Sequence, residues 1–181
     1  MPLDKLTIIG AGLLGGSIGL AARARGLARR VSALVRRPES LAECQALGIA
    51  NEVTLDPAEA VAGADLVVLC TPISGMAGLA KRTLPDLKPG TVITDVGSTK
   101  QQLVAELTPL CAGAGARFVG SHPMAGSDQT GPSAARADLF DGTVCVVTPT
   151  SDTDADALAT VNDFWADLGS RPVVMPADTH D

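Results

Sequence analysis

The chain runs to 181 residues with a formal net charge of −6, and its Lys and Arg residues never cluster beyond a few together. That length suits one sizeable α/β domain, and that charge argues against a nucleic-acid partner, which would need many cationic contacts to phosphate. With 46% apolar residues but only 2% aromatic, the core must be aliphatic, as in parallel strands covered by Ala- and Leu-rich helices.

Apolar runs alternate with helical patterns along the chain, the signature of a βαβ fold. Leu6 to Ile9 reads as a short buried strand, and Gly15 to Arg25 as a helix closed by Gly26. Val31 to Val35 is the second strand, and Glu39 to Leu47 a helix with Gly48 as its C-terminal cap. Asp56-Pro57-Ala58-Glu59 is a helix start in which Asp caps, Pro takes the first turn and Glu reaches back. That helix ends near Gly63, and Asp65 to Cys70 is an apolar strand stopped by Thr71-Pro72. Met76 to Leu84 is helical, Thr91 to Asp95 a strand, Thr99 to Leu110 a helix and Arg117 to Val119 a short strand. Residues 120–133 form a long loop rich in Gly, Pro and Ser, a length that points to function. Val144 to Thr148 is a strand, Leu158, Val161, Trp165 and Leu168 recur at helical spacing, and Pro172 to Met175 is the last strand, with no helix after it.

Four cysteines, at 44, 70, 111 and 145, include no CxxC pair, so no metal site is expected. They read as small thiols in a reducing compartment. Residues 8–22 (IIGAGLLGGSIGLAA) carry no charge and mimic a secretory signal. However, Asp4 stands where a positive segment belongs, and the run falls short of the roughly 20 residues that span a bilayer. A cytoplasmic protein without a membrane partner is the expectation.

Gly10-Ala11-Gly12-Leu13-Leu14-Gly15 fits Gly-x-Gly-x-x-Gly directly after a strand and at the start of a helix. In that context Gly10 permits the tight turn, Gly12 lets the backbone approach a pyrophosphate, and Gly15 lets helix and strand pack closely. The amides of Leu13 and Leu14 then open a helix N-terminus that favours phosphate. The same turn can be read as packing alone. NAD-binding domains usually carry an acid about 20 residues on, for the ribose 2′-hydroxyl. Here that strand end reads Val35-Arg36-Arg37-Pro38, with no acid and two guanidinium groups that suit a 2′-phosphate. NADP is therefore expected over NAD, the alternative being that both arginines are only a solvated strand end. Thr71 and Pro72, after another strand, complete the expected cofactor site.

Two segments follow the carboxyl ends of strands, where open α/β sheets place ligands. In Asp95-Val96-Gly97-Ser98-Thr99-Lys100, Thr99 with Gln102 makes a capping box, with Ser98 as a rival cap. In Gly120-Ser121-His122-Pro123-Met124-Ala125-Gly126-Ser127-Asp128, His122 is the one histidine away from the chain's end. Its near-neutral pKa suits general-base work.

Three segments, IIGAGLLGGSIGLA at 8–21, TDVGSTK at 94–100 and VGSHPMAGSDQTG at 119–131, together resemble the prephenate and arogenate dehydrogenases of tyrosine biosynthesis. The resemblance runs in order over essentially the whole chain and implies a Rossmann-type, doubly wound, mostly parallel sheet. It implies that His122 takes the proton of the ring C4 hydroxyl while hydride passes from that carbon to the nicotinamide and the ring carboxylate leaves as CO2. It implies that Ser98 positions nicotinamide and histidine, and that Ser127 contacts substrate. Residues 1–178 would be the NADP-binding domain. Residues 179–181 would begin the family's helical second domain, which supplies the rest of the substrate site and most of a homodimer interface and is otherwise absent from these 181 residues. A fragment binding cofactor with little turnover is expected. The competing readings are another NADP-linked reductase, of the pyrroline-5-carboxylate reductase or 3-hydroxyacid dehydrogenase type, and a non-catalytic NADP-binding domain. The reductases would not be expected to show the GSHPMAGSDQTG loop, whereas the missing second domain keeps the non-catalytic reading open.

Overall fold

Runs of Val, Ile and Leu with both faces apolar form strands that must be covered on both sides. In a computed structural model describing residues 2–181, the elements are β1 (Leu3–Ile9), α1 (Leu13–Arg25), β2 (Ala28–Leu34), α2 (Pro38–Ala46), β3 (Glu52–Thr54), α3 (Pro57–Val61), β4 (Leu66–Leu69), α4 (Ile73–Thr83), β5 (Val92–Asp95), α5 (Gln101–Gly113), β6 (Arg117–Phe118), β7 (Gly120–Pro123), β8 (Val144–Thr148), α6 (Ala155–Asp167), β9 (Arg171–Val174) and α7 (Ala177–His180). Six strands make one parallel sheet in the order β3-β2-β1-β4-β5-β6. Side chains alternate between its faces. Leu6, Ile8, Leu66 and Val68 pack with Ile18 of α1, Cys44 of α2 and Trp165 of α6, whereas Ile9, Val67 and Leu69 pack with Val61 of α3, Met76 of α4 and Leu107 of α5. This is the expected doubly wound Rossmann-type sheet, and its order reverses between β1 and β4, where such folds bind ligands.

The second sheet departs from expectation. Residues 120–123 are not loop but strand β7, antiparallel to β8, with His122 opposite Val146 and Ser121 opposite Val147. β8 in turn pairs in parallel with β9. The irregular segment is therefore shorter and begins at Met124. β3 also escaped the sequence reading, because three edge residues carry too little pattern. α7, a single turn after β9, is a further correction to the expected absence of a helix there.

Three caps match and two do not. Gly26 and Gly48, both at φ +66°, close α1 and α2 as expected, and the Asp56 carboxylate accepts from the Ala58 amide at 2.9 Å. Glu59 does not reach back to Asp56, because the Thr54 hydroxyl donates to it instead. The Thr99–Gln102 capping box does not form either. Helix α5 begins at Gln101, and the Asp181 carboxylate from the chain's other end accepts from the Lys100 and Gln101 amides at 2.7 and 2.9 Å. Among the described residues no helix is long and apolar enough to cross a membrane.

Candidate active site

Gly10 sits at φ +97°, and a Cβ there would meet Cys70 and Thr71, so the β1–α1 turn requires glycine. A Cβ on Gly15 would collide with the Gly10 carbonyl oxygen, which is the close helix–strand approach expected of it. Gly12 differs: a Cβ there would meet nothing within 4 Å. It is the N-cap of α1 and no side chain caps the helix. Beside it the Thr71 hydroxyl oxygen is buried without a hydrogen-bond partner among the described residues. An open glycine face, a free helix N-terminus and an unpartnered hydroxyl together suit a pyrophosphate.

Two cavities meet at Thr71-Pro72. One, about 520 Å³, is lined by Gly10, Val35, Arg36, Ser74 and Arg82 among others, with no carboxylate among the described residues of its wall. Arg36 enters it as the sequence suggested. Arg37, the exposed N-cap residue of α2, lines neither cavity. Arg82, near the end of α4, and Ser74 were not foreseen. A basic residue late in a helix gives no signal in sequence unless the helix is known to face the site. The other cavity, about 600 Å³, gathers Gly12, Leu13, Leu14, Ser98, His122 and Ser127, within the size range of small-molecule sites. Ser98 is exposed and its hydroxyl has no partner among the described residues, whereas the Ser127 hydroxyl is held by the turn it makes with Asp128 and Gln129.

His122 is half-buried on β7, and a polar knot beneath it fixes that strand to the main sheet. Asp95 at the end of β5 and Lys100 are both fully buried and paired. Asp95 also accepts from the amides of Gly97 at 2.7 Å and Ser121 at 3.0 Å, while Lys100 donates to the Ser121 carbonyl at 2.9 Å. The Ser121 hydroxyl donates to the Asp95 carbonyl at 2.6 Å, lies 2.7 Å from the Thr94 hydroxyl and accepts from the Trp165 indole at 2.9 Å. Burial pushes the Lys100 ammonium down from its usual range, opposed by Asp95. Burial likewise pushes the Asp95 carboxyl up, opposed by Lys100 and the two amides. None of this was legible as chemistry, since the sequence gives no sign that the Lys100 ammonium turns inward to Asp95. Burial first, then His180 and Lys100, lower the pKa of His122, against a smaller opposing effect of Asp181.

The sequence profile of the family described as the prephenate dehydrogenase nucleotide-binding domain matches residues 18–174. The chain belongs to the prephenate dehydrogenase family. A cyclohexadienyl dehydrogenase of Zymomonas mobilis is 35% identical over 176 residues, covering 97% of this chain and 59% of that protein. Among prephenate dehydrogenase structures, that of Aquifex aeolicus in complex with hydroxyphenyl propionate and NAD+ is similar at a TM-score of 0.92 and 30% identity, over 99% of this chain and 62% of that one. A Synechocystis arogenate dehydrogenase gives a TM-score of 0.90 at 28% identity, over 97% and 61% of the two chains. The chain thus spans about three fifths of these family members.

Proposed function

We propose that this chain supplies the cofactor site and half of the substrate site of an enzyme that oxidatively decarboxylates prephenate or arogenate, giving 4-hydroxyphenylpyruvate or tyrosine. The observation that carries the reading is His122, half-buried and lining one cleft with Ser98 and the open N-terminus of α1. A histidine kept neutral by burial is a competent base for a hydroxyl proton. Bound nicotinamide supplies the hydride acceptor. His122 takes the C4 hydroxyl proton as the hydride leaves, the carboxylate carbon departs as CO2, and its bonding pair completes the aromatic ring. The proton then returns to the phenolic oxygen. Ser98 orients the nicotinamide side of the cleft, and Ser127 meets substrate. Residues 1–178 act as the nucleotide-binding domain, residues 179–181 lead into a helical second domain, and the whole enzyme is a cytoplasmic homodimer.

NADP is the proposed cofactor. The cavity beyond Thr71-Pro72 would take the adenosine half, with Arg36 and Arg82 near a 2′-phosphate and no acid to hold a free 2′-hydroxyl. The test is reduction of NADP and of NAD by the full-length enzyme with prephenate and with arogenate, beside the two cofactor dissociation constants. NADP reduction with neither substrate sinks the assignment, and tighter NAD binding reverses the cofactor preference. In the full-length enzyme His122→Asn should abolish turnover and leave the NADP dissociation constant unchanged. Near-normal turnover in that variant removes His122 from the chemistry.

A further inference from the structure

The last two residues of the chain touch both the base and the helix beside it. The His180 ring, its side chain only 5% exposed, lies with Nε2 2.9 Å from His122 Nδ1 and with Nδ1 2.7 Å from an Asp181 carboxylate oxygen. The same carboxylate caps α5 through the Lys100 and Gln101 amides. We propose that His180 and Asp181 are positioning residues that hold His122 in the tautomer protonated at Nδ1, leaving Nε2 bare to accept the substrate's proton. The inference rests on the reading of His122 as the base and adds which nitrogen does the work and what selects it.

The selection follows from donor and acceptor rules alone. An ionised carboxylate can only accept, so His180 must carry its proton on Nδ1. A neutral His180 then has a bare Nε2, which can only accept, so His122 Nδ1 must donate. A neutral His122 is left with Nε2 unprotonated. Asp181 is well placed to start the chain, since the Gln101 amide, then His180 and the Lys100 amide, hold its carboxyl down at about 2. The other charged or titratable groups near His122 are Lys100, which disfavours a second positive charge, and Asp95 and Cys145, which lie behind it in the buried knot and on β8. Histidines whose second nitrogen is fixed by an acceptor are a recurrent way to set a tautomer, and choosing the wrong one costs turnover without disturbing geometry.

The chain holds two histidines and no more, so a long-range proton–nitrogen correlation spectrum contains only the rings in question. In the unaltered protein at neutral pH, His122 should show a protonated Nδ1 and a bare Nε2. A protonated Nε2 overturns the proposal whatever the variants do. His180→Phe removes the acceptor: in the full-length enzyme it should lower kcat on the order of 10²-fold with the NADP dissociation constant unchanged, and in the 181-residue chain it should redistribute the His122 tautomer. His180→Gln keeps an oxygen for His122 and an amide N–H for Asp181, and should restore most of the lost rate. Unchanged kcat and tautomer in His180→Phe, or no rescue by glutamine, also overturns the proposal. If His122→Asn keeps its turnover, the base assignment fails, while the nitrogen spectrum still decides the tautomer independently.

Discussion

Two single residues carry the sharpest expectations. Arg82 was invisible in the sequence as a ligand group, because only the fold brings the end of α4 beside Arg36. Arg82→Ala should weaken NADP binding roughly tenfold, the discount for a solvent-exposed charge included, and leave NAD binding unchanged; equal losses for both cofactors would exclude a 2′-phosphate contact. His122 carries the pH dependence. The base works neutral, and its pKa lies below the ordinary value of 6.5. The acid limb of kcat/KM should therefore rise below pH 6.5, so that activity persists into more acidic solution than a free imidazole would allow. A limb above 6.5 would contradict the burial that lowers this group.

At the scale of elements, the glycine-rich turn separates packing from binding. Gly12→Ala adds a methyl to open space and should cost less than about 1 kcal/mol of stability as an altered N-cap, yet it should weaken cofactor binding markedly, as calorimetry would read. Undiminished binding would mean that no ligand approaches there. The β5–β7 junction makes the opposite case. Lys100→Met leaves the Asp95 carboxylate buried without its cation and should destabilise the fold by about 3–5 kcal/mol, measured by urea unfolding. A small loss would show that water reaches the pair. Strands β1, β2, β4, β5 and β8 were legible because each carries a run dominated by Val, Ile, Leu or Ala. β7 was not: its two inward residues are Ser121 and Pro123, and its partner strand lies some 25 residues on along the chain. The cap on α5 was equally hidden, since the carboxylate that makes it comes from 80 positions away.

Over the whole molecule, chain order and sheet order together place the ligand edge where the glycine turn and the strand-end segments pointed. Composition foretold an aliphatic core, and that core divides into one cluster on each face of the parallel sheet. What the sequence could not reveal is that a second, mixed sheet carries the histidine, and that a fully buried polar knot joins the two. The single Trp165 belongs to that knot, buried on α6 with its indole N–H given to Ser121, the residue before His122. The chain has no tyrosine and no other tryptophan, so its intrinsic fluorescence comes from this one seam. The emission should be blue-shifted in the native protein, and its red shift in rising urea should overlay the loss of NADP binding. A cofactor site that fails well before the emission moves would mean that the two sheets part company separately. The molecule thus carries its own optical gauge of whether the base is in place.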